Sequence, residues 1–304
     1  MKTILQFIGL LFFTAIIGCN TTMKMDTEQE QYLGEYPPID TPVLFKAELI
    51  PEKQLAHAGV FTPDMKEYYY TLSNASFSQF TVMYIRKSGD HWTAPQEAFF
   101  NSAYLEHGVH FTEDGQWVYF SSTRPIGKED SSSHWHIWRS KKKENGWSEA
   151  ELINIPGMEG KSTSHPSLTR SGRMYFHSYN PDFSDMALYV SEPLEGVFQK
   201  AKKIVFPEGE NHNTLTPFIA SDESYLLFEK KFDDYLEIYI SYRDNDGWQL
   251  PKRLSDNINT KNLGNPYVTP DGQYLFYASG QWPQNAPASN WVIKWVNTKD
   301  VFKR

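Results

Sequence analysis

Apolar segments and turn-forming residues alternate along almost the whole chain, and the alternation has a long period. An apolar residue stands three places before a turn residue five times: Phe61 before Asp64, Phe111 before Asp114, Leu168 before Ser171, Ile219 before Asp222 and Val268 before Asp271. Each turn leads into an aromatic or aliphatic run, such as Tyr68-Tyr69-Tyr70, Val118-Tyr119-Phe120 or Leu275-Phe276-Tyr277. Asp114-Gly115 and Asp271-Gly272 are tight-turn pairs that tolerate positive φ, and Ser171-Gly172 is a relative of them. In the first and fourth copies Met65 and Glu223 stand in the Gly position. The pattern predicts a two-stranded hairpin, strands A and B, in every copy.

Past each hairpin a third strand, C, is predicted over 82–85, 136–138, 188–190, 238–240 and 291–293. A short strand D follows near Phe99, Leu152, Ile204 and Leu254. The turn residues recur at steps of 50, 57, 51 and 49. A period near fifty residues signals a β-propeller or another repeat array, and four antiparallel strands make a propeller blade. The expectation is an all-β, five-bladed propeller; a six-bladed ring needs a unit that the sequence does not display. The fifth copy lacks strand D, and residues 42–50 ("PVLFKAELI") have the pattern to supply it. Joining the termini in this way closes the ring and removes free sheet edges.

Composition agrees with strands and turns: 18 Tyr, 20 Phe and 9 Trp stand beside 18 Gly and 18 Pro. These rings are expected to fill the wedges between blades. The net charge of −8 argues against a nucleic-acid partner. Lys141-Lys142-Lys143 reads as a solvated hairpin tip.

The first residues carry a targeting signal. Lys2 precedes an apolar stretch, residues 4–17, too short to span a bilayer comfortably, and Gly18-Cys19 follows. This resembles the bacterial lipoprotein signal, which implies cleavage before Cys19 and its lipidation. Cys19 is the single Cys, so the chain has neither a disulfide nor a thiolate metal site. Several acyl chains on one residue anchor firmly, at about 0.8 kcal/mol per buried methylene. Asn20 in place of Asp implies, by resemblance to the sorting rule, the outer membrane. The expected organisation is a signal peptide over 1–18, a flexible tether over 19–40 and one monomeric propeller domain over 41–304.

"TPDGQYLFYAS" (269–279), "YFSSTRP" (119–125) and "LEIYISYRDNDGWQLPKRLSDNINT" (236–260) resemble the WD40-like propeller repeats of the TolB family and of exported Bacteroidetes proteins. "YLGEYPPIDTPVLF" (32–45) resembles the segment that opens the domain in exported relatives, and the likeness covers 32–300. It implies the propeller fold and, from the best-known member, the binding of other proteins; it does not imply a mechanism.

No nucleophile elbow, HExxH, phosphate loop or dinucleotide fingerprint is present. His57 and His107 stand seven residues before the turn, His165 six before it, and His212 near the start of the fourth A strand. Strand A lines a propeller's channel. These imidazoles would then surround one mouth, as ligand contacts, as holders of a divalent metal, or as polar residues bonded to backbone and water. No cofactor is otherwise expected. "HWHIW" (134–138) reads as strand C of the second blade or as an aromatic platform for a sugar, and the longer loop 124–134 is a place for ligand contacts. The function expected is a non-catalytic module that binds an envelope protein or glycan. The alternative is a saccharide-active lyase or hydrolase, with the channel-mouth histidines and a metal they hold, or carboxylates paired across blades, as its site.

Overall fold

The computed structural model describes residues 31–127, 133–260, 262–281 and 287–302. It is a five-bladed propeller of antiparallel sheets. Strand A, innermost in each blade, is Leu55–Phe61, Glu106–Phe111, Ser162–Leu168, Thr214–Ile219 and Leu263–Val268 in blades 1 to 5. Strand B is Glu67–Ser73, Trp117–Ser122, Met174–Tyr179, Tyr225–Lys231 and Tyr274–Gln281. Strand C is Phe80–Ser88, His136–Lys143, Ala187–Ser191, Leu236–Asp244 and Ser289–Asn297. The outer strand D of blades 1 to 4 is a two-residue segment at Gln96–Glu97, Glu151–Leu152, Lys202–Lys203 and Lys252–Arg253.

Blade 5 takes its strand D from the other end of the chain. Val43 lies opposite Trp295 and Leu44 opposite Lys294, and the Phe45 N–H donates to the Ile293 carbonyl at 2.9 Å. Phe45 then enters the wedge between blades 5 and 1, among Phe61, Tyr68, Phe276 and Trp295. The packed chain begins earlier than residue 41. Tyr32, expected in the tether, is 1% exposed, and its hydroxyl donates to Asp271 at 2.7 Å. A buried aromatic with a satisfied hydroxyl outweighs the polar composition around it.

The repeated turns explain themselves chemically. Thr62, Thr112 and Thr269 donate their hydroxyls to Asp64, Asp114 and Asp271, and the same carboxylates accept the N–H two residues on. The residue after each turn residue has positive φ: Met65 at 56°, Gly115 at 65°, Gly172 at 84°, Glu223 at 60° and Gly272 at 72°. Met65 and Glu223 therefore keep the glycine geometry that their side chains disfavour. A second repeated device sits between strands D and A. Asn101, Asn211 and Asn259 each bond both the N–H and the carbonyl of one strand C residue: Val82, Leu188 and Ile238.

All five A–B turns lie at one end of the channel, called the bottom. The starts of the A strands and the B–C loops lie at the other, the top.

Candidate functional site

Every A strand bulges at the same place. Its pairing with strand B shifts between His57 and Val60, His107 and His110, Ser164 and Ser167, Leu215 and Phe218, and Gly264 and Tyr267. An extra residue in a strand bends it and re-aims side chains. The first bulge residue has positive φ in four blades: Gly108 at 62°, His165 at 52°, Thr216 at 41° and Asn265 at 52°. For Thr216, a β-branched residue, this is a true outlier. Such strain costs about 1–3 kcal/mol per residue and gathers at functional sites. Proline follows in His165-Pro166, Thr216-Pro217 and Asn265-Pro266, as suits a position outside the ladder.

The bulges account for the uneven histidine spacing. His57 and His107 precede the bulge, whereas His165 sits on it, one position further along. The three reach one cavity of about 60 Å³, which Thr216 and Asn265 also line. That is room for a few waters at most. His212 does not join them. It lies before strand A of blade 4, exposed, with Nδ1 3.3 Å from the Gly209 carbonyl. His110, further along strand A of blade 2, is the fourth histidine lining the cavity, and His177, on strand B of blade 3, stands behind it with its ring 5.1 Å from that of His165.

The bulge frees backbone N–H groups, and neighbouring blades capture them. The His165 N–H donates to Ser121 Oγ at 2.9 Å, Thr216 N–H to His177 Nδ1 at 3.2 Å and Asn265 N–H to Glu229 Oε1 at 2.5 Å. Each acceptor is on strand B of the preceding blade. A second tier lies deeper. His110 Nε2 accepts from Leu168 N–H at 3.1 Å, Ser167 Oγ from Ile219 N–H at 3.0 Å and Tyr267 hydroxyl from Phe61 N–H at 3.1 Å. His110, His177 and Glu229 thus stitch blade to blade, which the linear repeat does not reveal.

A polar chain runs around the mouth. Ser164 donates to Ser121 at 3.0 Å and also meets His107 Nε2 at 2.9 Å and His165 Nδ1 at 3.1 Å. Because Ser164 has one hydroxyl proton, both imidazole nitrogens facing it are donors. His165 Nε2 is then the acceptor for the Asn265 amide at 2.9 Å. Thr216 hydroxyl donates to Glu229 Oε1. His57 Nε2 pairs with Ser73 Oγ at 2.9 Å. The rings are neutral in this scheme, and electrostatics agrees. Burial pushes His57 down to about 4 and His177 to about 3, and burial with neighbouring imidazoles holds His107 and His165 well below the usual range. Burial moves the Glu229 carboxyl the other way, up to about 7, against the hydrogen bonds from Thr216 and Asn265.

Aromatic rings surround this polar centre. Trp135 lies 3.9 Å from His107, and Phe80 lies 5.3 Å from His107 and 5.4 Å from His57. Phe77 and Trp291 flank His57 at 5.8 and 5.9 Å. Of "HWHIW", Trp135 reaches the mouth, while Ile137 is buried in strand C and Trp138 lies under Arg124 at 5.1 Å. Within the 124–134 loop, residues 128–132 lie outside the described residues, as do Cys19 and the signal segment. The turn residues Asp64, Asp114, Gly115, Ser171, Gly172, Asp222, Asp271 and Gly272 are at the bottom. There Asp222 and Gly272 line a separate funnel of about 330 Å³, floored by Val60, Phe218 and Tyr267.

Among the described residues, no Asp or Glu lines the top cavity. Among the described residues, no group of three or more His, Cys, Asp or Glu is placed to hold a metal ion, and no helix is long and apolar enough to cross a membrane. No family model and no curated protein sequence matches the chain. Solved structures do. A putative TolB from Agrobacterium tumefaciens is 14% identical, covering 82% of this chain and 79% of that one, with a TM-score of 0.52. A thermostable family-43 glycoside hydrolase is 12% identical, covering 82% and 91%, also with a TM-score of 0.52. At these identities the likeness is one of fold, a propeller shared by TolB-like proteins and by glycoside hydrolases.

Proposed function

We propose that this chain is a non-catalytic binding module of the cell envelope, held to the outer membrane through lipidated Cys19, and that it takes a saccharide at the top mouth. The observation that carries the reading is the pairing at that mouth. Neutral hydrogen-bonding groups (His107, His165, Thr216, Asn265) form the centre, aromatic rings form the rim, and among the described residues no carboxylate lines the cavity. Sugars offer hydroxyls to the former and C–H faces to the latter. Hydrolysis of a glycosidic bond ordinarily uses two carboxyl groups flanking it, and no such pair opens on this cavity among the described residues.

The lipid-free domain, titrated with a glycan array and followed by tryptophan emission, is expected to bind saccharide and to lose it in His165→Ala and Asn265→Ala. Absence of any saccharide ligand, with capture of an envelope protein through the same residues, would replace the glycan by a protein. A Cys19→Ser variant is expected to leave the membrane fraction; its retention there would remove the anchor from the proposal.

Glu229 favours a second reading, a saccharide-active lyase or hydrolase. A carboxyl raised to about 7 is suited to general acid–base work. Turnover of a bound saccharide that disappears in Glu229→Gln would establish it.

A further inference from the structure

The B–C loops of blades 1 and 3 are one design written twice. Residues 74–78 read "NASFS" and residues 180–184 read "NPDFS". In both, the Phe N–H closes a turn onto the Asn carbonyl, at 3.1 Å for Phe77 and 2.8 Å for Phe183. In both, the Asn amide donates to the Ser hydroxyl, at 2.9 and 3.0 Å. In both, the Phe has positive φ, 53° and 62°. A bulky side chain disfavours that conformation, where glycine would sit without strain. The chain nevertheless places a phenyl ring there twice, on the top face, while the A–B turns at the bottom carry no aromatic residue.

Phe77 is half-buried against the small cluster around Trp291, whereas the other ring stands out from the core. Phe183 is 66% exposed and stacks with one face on Tyr179 at 5.4 Å, nearly parallel at 15°. Tyr179 stacks on His177 at 5.7 Å, and His177 on His165 at 5.1 Å. Three ring-to-ring steps therefore tie the exposed phenyl to the polar centre. On the opposite side Phe77 reaches that centre through His57 and Phe80. A single sugar ring at His165 would leave Phe183 untouched.

We propose that Phe77 and Phe183 are two arms that grip a saccharide chain laid across the mouth, so that the ligand is an oligo- or polysaccharide of neutral sugars rather than a monosaccharide. Neutral sugars suit the imidazole, amide and hydroxyl groups at the centre, and the Glu229 carboxyl behind Thr216 and Asn265 disfavours an anionic ligand. The inference rests on the saccharide reading above and adds the length of the ligand and the residues that measure it.

The test uses the lipid-free domain and a panel of neutral polysaccharides (β-glucan, xylan, arabinan, galactan, mannan), followed by the oligosaccharide ladder of any that binds. Affinity is expected to rise with chain length in the wild type. Phe183→Ala should lose about tenfold for long chains, as aromatic anchors do, with little change for the shortest, and Phe183→Tyr should restore it. Phe183 is exposed, so an unchanged melting curve certifies the fold. Equal affinity of wild type and Phe183→Ala at every length would overturn the arms while leaving the saccharide site standing. Failure of the wild type to bind any saccharide, or Phe183-dependent binding of a protein alone, would overturn both.

Discussion

Replacing Glu229 by Gln isolates one buried carboxyl and predicts a pH dependence with an uncommon sign. Glu229 is 4% exposed, and its Oε1 accepts from the Asn265 N–H and the Thr216 hydroxyl. Its carboxyl is raised from an ordinary 4.5 to about 7. Between those two values the folded state holds a proton that the unfolded state has released. Stability from this group is therefore full at low pH and is lost as pH rises through about 7. The whole offset is worth about 3.4 kcal/mol at about 1.4 kcal/mol per tenfold, and the interval from pH 5 to pH 8 spans about 2.5 kcal/mol of it. The imidazoles pull the other way, since His57 and His177, lowered to about 4 and 3, lose their contribution as pH falls below about 6.5. They titrate alike in both proteins and cancel in the difference. Gln keeps the acceptor oxygen without the charge. Urea unfolding of wild type and Glu229→Gln at pH 5, 6, 7 and 8 should show the variant gaining on the wild type by about 2.5 kcal/mol as pH rises. A difference that stays flat to within about 0.5 kcal/mol, or that runs the other way, would refute the raised carboxyl and with it the general acid–base reading of Glu229.

Gly59→Ala places a Cβ 2.1 Å from the Tyr69 carbonyl and 2.7 Å from the Tyr68 ring; a loss of about 3 kcal/mol is expected from the backbone clash, read as a drop in urea midpoint. Phe45→Ala empties the wedge that closes the ring and should cost about 3–5 kcal/mol, seen in the same assay. Phe183→Gly removes left-handed strain and should raise stability by about 1 kcal/mol while weakening long-chain saccharide binding; a lower melting temperature would show that the ring is structural.

Blade count, hairpins and ring closure were legible in the chain because each rests on local chemistry repeated in register. The threonine–aspartate turn, the apolar residue three places before it and the aromatic run after it recur in linear order. The start of the packed domain was less legible, since Tyr32 is held by Asp271 from the far end of the chain and its polar neighbours read as a tether. The site was legible in part. His57, His107 and His165 stand near strand starts, but the bulge that sets His165 on a different register from the other two is marked in the sequence only by the proline after it, which blades 1 and 2 lack.

The residues on which the copies disagree are for the most part the ones that join blades. At the strand B position paired with the residue before the bulge stand Thr71, Ser121, His177, Glu229 and Ala278. Three of these acceptors capture a bulge N–H from the next blade. Each must fit a different donor, so a repeat that is uniform at its turns has reason to vary here. Five identical side chains would make a symmetric pore. Ser, His and Glu instead leave a mouth with a direction around it, from the serines at His107 through Asn265 to the carboxyl of Glu229. An asymmetric ligand can be read only by such an arrangement. The strain carried by His165, Thr216 and Asn265 is then the stability given up for a one-way ring.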